Sequence, residues 1–359
     1  MRIGIITQPL TTNYGGILQN YALQEVLRGM GHEPWTVDYN KYSWWNWADA
    51  MWRYIAHRIL GHKAKRPLTP MEVRRNETPL RRFVCENIAL TKPRTRLVEG
   101  RVVKKYDVQA LVAGSDQCWR PGYNKRVEKC FLDFAAGWDV RRIAYAASFG
   151  TDKWEFSEKQ TNACSALAKK FDGISVREVS GVGLCKKYLG VNAVHVLDPT
   201  LLLRKEDYCK LCDSVPVQEP FVFAYILDES PAKIDDIKIF AQRKELPYFI
   251  KSAGPNVQPD DTVELWLSYF RDAAFVITDS FHGTAFSINF NKDFYVYANA
   301  HRGNSRFESL LGLVGLEERM IESLPENEEA INWSEVNRKL DAERDNSMRW
   351  LTGAIGGSF

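Results

Sequence analysis

Short apolar runs recur along the chain, and most neighbouring pairs are separated by a longer stretch with helical spacing. The first run, Arg2–Thr7 (RIGIIT), predicts a buried strand. The next feature, Asn13–Gly16 (NYGG), reads as a tight glycine turn. From Ile17 to Met30, Leu18, Tyr21, Ala22, Val26 and Leu27 fall on one side of a helix. Gly31 suits the left-handed residue that closes it. Trp35–Tyr39 is the second predicted strand. Strand, glycine turn, helix and strand together open a doubly wound α/β domain. The GxGxxG pattern is absent, so this is not the dinucleotide fingerprint.

The alternation continues with strands at Ala110–Ala113, Arg142–Ala147, Ile174–Arg177 and Val194–Leu197, and helices over Ser157–Phe171 and from Arg177 to about Leu189. Residues 204–220 are polar and contain proline, and read as a linker. A second alternation follows. Its strands are Phe221–Ile226, Tyr248–Ile250, Ala274–Thr278 and Phe294–Tyr297, with a helix between the first two and another over Gly283–Asn291. The expected organisation is an N-terminal domain over 1–205, carrying a helical insertion at about 41–100, and a C-terminal domain over 215–359 that ends in helices. No repeat or low-complexity segment interrupts it.

Composition narrows the class without naming it. The chain is 45% hydrophobic and 26% charged, as expected of a globular enzyme, and a net charge of +3 is too small to argue for nucleic acid. No apolar run approaches bilayer-spanning length. The opening MRIGIITQPL lacks the marks of a signal peptide, and seven scattered cysteines then read as reduced thiols of a cytoplasmic protein. Cys209 and Cys212 form a CxxC, but no second pair follows at zinc-ribbon spacing, and no His/Asp cluster suggests a metal.

The candidate chemistry centres on Ile277–Phe286 (ITDSFHGTAF). A β-branched run ends in Thr278 and Asp279, His282 follows, and a helix begins. Two α/β domains leave a cleft between them, lined by loops from the C-terminal ends of parallel strands. His282 would sit on such a loop, where the free N–H groups of the next helix favour an anion. Beside an anion its pKa would rise, making it an acid near neutral pH. The competing reading is a histidine that ties the loop to a backbone carbonyl.

Six stretches, TNYGGILQNYALQ, VAGSDQCW, IAYAASFG, ISVREVSG, VLDPTLLL and VITDSFHG, resemble the polysaccharide pyruvyl transferase family in order and spacing. The likeness runs from residue 5 to about 315. It implies two facing Rossmann-like domains in the arrangement of GT-B glycosyltransferases, with the active site in the interdomain cleft. It also implies a transferase that moves the pyruvyl group of phosphoenolpyruvate onto two sugar hydroxyls as a ketal, with no other cofactor.

On the matching positions, His282 takes the acid role and Asp116 takes or orients the sugar proton. Arg177 binds the donor's carboxylate or phosphate; its alternative is an ion pair with Glu178. Many members carry an arginine where Ser280 stands in the donor site. Arg306, with Arg302 as the less favoured substitute, would supply that charge, and Asn304 would cap the helix of Arg306. Asn13, Gly15, Gly16, Gln19 and Ser115 are candidate sugar contacts, with an unoccupied tight turn as the alternative for NYGG. Asp116 and Asp198 also read as helix and turn caps.

Residues 41–100 hold Trp44, Trp45, Trp47 and Trp52, then Arg53, Arg58, Lys63, Lys65, Arg66, Arg74, Arg75, Arg81 and Arg82. One reading packs the tryptophans on the first domain; another lays 41–82 on the inner face of the cytoplasmic membrane. No nucleic-acid motif is present. The expected partners are therefore phosphoenolpyruvate and a sugar or lipid-linked oligosaccharide acceptor, in the synthesis of a capsular or exopolysaccharide. The alternatives are a GT-B glycosyltransferase using a nucleotide-sugar and an inactive sugar-binding scaffold.

Overall fold

The structure, a computed structural model, describes residues 1–40, 44–62, 64, 66–252, 258, 260–298 and 303–357. Its strands form two parallel sheets. The first is built from Arg2–Ile6 (β1), Glu33–Thr36 (β2), Ala110–Ala113 (β3), Arg141–Ala147 (β4), Gly173–Val176 (β5) and Val194–His195 (β6), in the order β2-β1-β3-β4-β5-β6. The second holds Val222–Tyr225 (β7), Tyr248–Lys251 (β8), Phe275–Thr278 (β9), Asp293–Tyr297 (β10) and Met320–Ile321 (β11), in the order β11-β10-β9-β7-β8. The central strands are buried on both faces, which is why they read as apolar runs without alternation.

The α-helices are Tyr14–Gly29 (α1), Trp44–Ile59 (α2), Pro70–Asn87 (α3), Gly100–Val103 (α4), Glu158–Ala168 (α5), Val179–Leu184 (α6), Lys205–Cys212 (α7), Pro231–Arg243 (α8), Val263–Asp272 (α9), Phe281–Asn289 (α10), Ser305–Val314 (α11) and Trp333–Gly356 (α12). Three sequence expectations need correcting. NYGG is not a turn ahead of a helix, because α1 begins at Tyr14 and takes both glycines into its first turn. The supposed linker 204–220 contains α7, whose Tyr208 and Cys212 share a buried face while Asp207 accepts from the Arg204 N–H at 3.2 Å. Finally, α10 starts at Phe281, so His282 belongs to its first helical turn rather than to a loop.

One apolar core crosses from sheet to sheet. It runs from Ile3, Ile17 and Leu18 through Tyr208, Trp266, Phe270 and Phe286 to Leu351 and Ile355 of α12. Tyr14 stacks on Trp266 with ring centroids 5.3 Å apart. The C-terminal helix reaches back to the first sheet: Ser347 Oγ accepts from the Leu197 N–H at 3.0 Å and Arg344 Nε donates to the Leu201 carbonyl at 2.6 Å. The halves are thus joined by packing, and the chain segments leaving the C-terminal ends of β1, β3, β7 and β9 meet along their seam.

Candidate functional site

At that seam lies a cavity of about 290 Å³ lined by Thr12, Asn13, Gly15, Asp116, Gln117, Tyr225, Leu227, Asp279, Ser280, Phe281, His282 and Arg306. Both halves contribute, and much of the wall comes from strand ends and the starts of α1, α10 and α11.

The β9–α10 junction is held by short polar side chains. Ser280 is the N-cap of α10, its Oγ accepting from the Gly283 N–H at 3.3 Å. Thr278 Oγ1 donates to the Tyr225 carbonyl at 2.6 Å and accepts from the Ser280 N–H at 3.0 Å. Asp279 accepts from the Leu227 and Asp228 N–H groups at 2.5 and 3.1 Å and pairs with Lys233 at 2.7 Å. Asp279 therefore ties the β7 and β9 loops together. Its charge is already matched, although it lines the cavity.

His282 is buried, and its ring lies against α1 of the other half. A Cβ on Gly15 would fall 2.0 Å from His282 Nδ1, so only glycine fits there. On the far side of the ring, Nε2 lies 3.2 Å from Gln19 Oε1. That same oxygen accepts from Arg177 Nη1 at 3.3 Å. A guanidinium only donates, so Gln19 presents its oxygen, and the hydrogen on the imidazole sits on Nε2. Nδ1 then carries the lone pair. Gly15→Ala is expected to displace the ring and reduce turnover at least about tenfold. The check is activity beside a thermal melt: lost activity with a melting temperature near that of the wild type.

Burial pushes the His282 pKa down to about 4; Asp198 and Asp116 work against that shift, whereas Arg177 and Arg306 add to it. The expected raised value belongs to the ring beside an anion; without one the value is lowered. The protein's own charges leave the ring neutral near pH 7, and a bound anion would have to lift its pKa. Since the folded value lies below the ordinary 6.5, between pH 6.5 and 4 the unfolded chain binds a proton that the folded ring refuses. This contribution to stability is whole above pH 6.5 and is lost as pH falls towards 4. His195 and His32 shift in the same direction, so the contribution is read by difference. His282→Asn should flatten the dependence of denaturant midpoint on pH between 6.5 and 4, and an unchanged slope would contradict the assignment.

Behind the histidine stands a buried polar cluster. Arg177 Nη1 meets Asp198 Oδ2 at 2.6 Å, and Ser115 Oγ donates to the same oxygen at 3.0 Å. Asp198 Oδ1 accepts from Thr200 N and Oγ1 at 3.0 and 2.7 Å, and Oδ2 lies 4.0 Å from His282 Nε2. Arg177, Ser115 and Gln19, candidate donor and sugar contacts from the sequence, stand behind the cavity wall and not in it. Glu178 is not the partner of Arg177 either; its Oε1 accepts from the Phe149 and Gly150 N–H groups at 2.6 and 3.0 Å. Asp198 does cap its turn, and it also anchors this cluster.

Asp116 faces the cavity from the first half, with φ +70° and ψ 175°. A non-glycine residue in that region stores about 1–3 kcal/mol and persists only where its surroundings impose it. Its Oδ1 caps the following turn, accepting from the Gln117 N–H at 2.8 Å, while Oδ2 lies 3.4 Å from Asn13 Nδ2. The carboxylate thus caps a turn and lines the cavity at once. Gly16 abuts Asn13 and Asp116 without reaching the cavity wall.

Arg306, in the first turn of α11, is buried in the cavity wall. The chain arrives there through Gly303 (φ +87°), where a Cβ would meet the Gly150 carbonyl oxygen at 2.4 Å. Asn304 occupies the N-cap position but makes no capping bond with its side chain, contrary to expectation. Burial, then Arg177, lowers the Arg306 pKa to about 10, which leaves it charged at neutral pH. The two guanidinium groups lie 4.4 Å (Arg177) and 5.7 Å (Arg306) from the Phe281 ring centre. Arg302 lies outside the described residues. Among those residues no cluster of His, Cys, Asp and Glu is arranged to hold a metal.

Sequence reasoning missed Tyr225, Leu227, Gln117 and Thr12 as lining residues. Tyr225 and Leu227 were findable in principle, since Tyr225 ends the β7 strand and Leu227 lies two residues beyond it, facing the same seam.

Among solved structures, the UDP-GlcNAc 2-epimerase from Neisseria meningitidis bound to UDP-GlcNAc is similar, at 9% identity and a TM-score of 0.51, over 100% of each chain. The UDP-GlcNAc 2-epimerase from Methanocaldococcus jannaschii is similar at 10% identity and a TM-score of 0.47, over 95% of this chain and 92% of that one. At these identities the likeness concerns the fold alone: two facing Rossmann-like halves of the GT-B kind. No protein with a curated description matches. A family model described as polysaccharide pyruvyl transferase matches residues 13–301.

Proposed function

The chain belongs to the polysaccharide pyruvyl transferase family, and from that premise we propose that its cavity transfers the pyruvyl group of phosphoenolpyruvate onto two hydroxyls of a sugar. The product is a ketal within a capsular or exopolysaccharide precursor, and phosphate is released. The observation that carries this reading is the convergence of His282, Asp116 and Arg306 on one small cavity. At about 290 Å³ it lies at the low end of ligand sites, which suits a compact anion better than a nucleotide-sugar.

In this reading protonated His282 gives its Nδ1 proton to the methylene carbon of the donor. The adjacent carbon becomes cationic, and the first sugar hydroxyl attacks it while its proton passes to Asp116. The bond from that carbon to the phosphate oxygen breaks, and phosphate leaves with the electron pair. The second hydroxyl then adds, and its proton goes to the departing phosphate. Arg306 holds the donor's negative groups, and the buried charge of Arg177 supports it from behind Phe281. The Gln19 amide keeps Nε2 protonated, so that Nδ1 is the nitrogen that loads and delivers the proton.

Because His282 is neutral in the protein alone, donor binding near pH 7 must bring a proton into the site. Calorimetric titration of phosphoenolpyruvate in buffers of different ionisation heat tests this. The reading predicts binding with proton uptake that disappears in His282→Asn. Binding of a nucleotide-sugar, with none of phosphoenolpyruvate, would favour a glycosyltransferase instead.

A further inference from the structure

The insertion contains a helix whose outer face its neighbours leave uncovered. Trp44, Ala48, Trp52, Ile55 and Ile59 of α2 recur at spacings of three and four residues, which places them on one side. All are exposed, Trp52 at 73% and Ile59 at 80%, and Leu60 continues the stripe at 70%. Trp47, edge-on to Trp44 with centroids 5.6 Å apart, turns partly inward, as do Ala50, Met51 and Tyr54. The expectation that the tryptophans pack as a group on the first half is therefore corrected for Trp44 and Trp52. The side chain of Trp45 lies outside the described residues, as do Lys63 and Lys65.

The next helix behaves differently. Val73, Leu80, Phe83 and Val84 of α3 are buried, and Phe83 meets Tyr21 of α1 edge-on with ring centroids 5.8 Å apart. Its basic residues are partly consumed, with Arg81 paired to Asp38 and Arg82 lying 3.7 Å from Glu264. The open surface is thus α2 and the turn after it. Residues 44–66 contain five Arg and Lys residues against the single carboxylate of Asp49.

We propose that α2 is a docking helix that lays Trp44, Trp52, Ile55 and Ile59 into the interface of an anionic lipid bilayer. Indoles and β-branched side chains beside a basic flank fit that partner chemically, since the apolar stripe enters the acyl boundary while Arg58 meets the headgroup charge and Arg53 and Arg66, paired with Asp49 and Glu72 at 2.7 and 2.6 Å, add to the basic flank. Charge complementarity decides against a second copy of the chain, which would bring the same basic flank against itself. The proposal goes beyond the reading of the cavity and is independent of it, because docking needs no turnover. It would place the protein where a lipid-linked acceptor is met.

The test is co-sedimentation of the whole chain with vesicles of phosphatidylcholine containing phosphatidylglycerol, beside vesicles of phosphatidylcholine alone. The expected result is binding to the anionic vesicles that weakens as salt is raised. Trp52→Ser combined with Ile59→Ser should lower partitioning at least about tenfold, with phosphate release from phosphoenolpyruvate unchanged. Arg58→Glu, a change at an exposed position, should lower it at least about fivefold and serves as a second reading if the double variant folds poorly. Absence of binding, or binding unchanged in both variants, would overturn the proposal. So would a concentration-dependent dimer that the double substitution dissolves.

Discussion

His282→Ala is expected to lower turnover by at least about a hundredfold, the usual scale for a lost general acid. The expectation rests on position before chemistry. His282 is the side chain on which α10 of one half, Gly15 of α1 in the other, and the Gln19–Arg177–Asp198 cluster converge. Of the charged residues described on that side of the cavity, Arg306 stays charged and Asp279 is committed to Lys233 and two backbone N–H groups, which leaves the imidazole as the group that can load and deliver a proton there. The fold should survive, because the ring's polar contact is with Gln19 and the loop is held by Ser280, Thr278 and Asp279. Phosphate release measured beside a thermal melt checks the prediction, and near-normal release would remove the acid role.

Arg306→Ala should weaken phosphoenolpyruvate binding by about 2–5 kcal/mol, the cost of losing one partner of a buried charged contact. Phosphoenolpyruvate brings a carboxylate and a phosphate into a cavity lined largely by buried residues, where each needs a cationic or strongly donating partner. Ser280 has only a hydroxyl to offer, and that hydroxyl already accepts the cap bond. Arg177 is fixed to Asp198 and does not reach the cavity wall. Arg306 is thus the guanidinium placed to meet the donor directly. Lysine at 306 should restore binding only in part, because it keeps the charge but loses the planar fork. Acceptor binding should change little. Titration calorimetry with donor and acceptor separately distinguishes these outcomes, and equal weakening of both would assign Arg306 to the fold instead of the donor.

The strands and most helices were legible because parallel, doubly covered strands leave continuous apolar runs bounded by polar loop residues. What sequence spacing could not show was how the halves meet. His282 and Gln19 are 263 positions apart, and nothing in either segment announces the other. Burial followed from that contact, and with it the lowered pKa of the ring in the protein alone, which the local sequence did not show. Arg177 shows the same limit: its neighbour Glu178 was the obvious partner by position, yet the β5 and β6 ends deliver Asp198 instead. Helix α7 was hidden because a short, charged helix with only Tyr208 and Cys212 on its buried face resembles a linker. Gly15 of NYGG read as part of a tight turn and as a sugar contact, whereas the group packed on it is the His282 ring.

The most direct test follows both products of one reaction. The protein is incubated with phosphoenolpyruvate and an extract of surface-glycan precursors from its own cells, and released phosphate is counted against pyruvyl ketal found on the acceptor by mass spectrometry. The account predicts one phosphate for each ketal, dependent on acceptor and lost in His282→Ala. Ketal-free acceptor with no phosphate release, or release of a nucleotide from a nucleotide-sugar in its place, would contradict it.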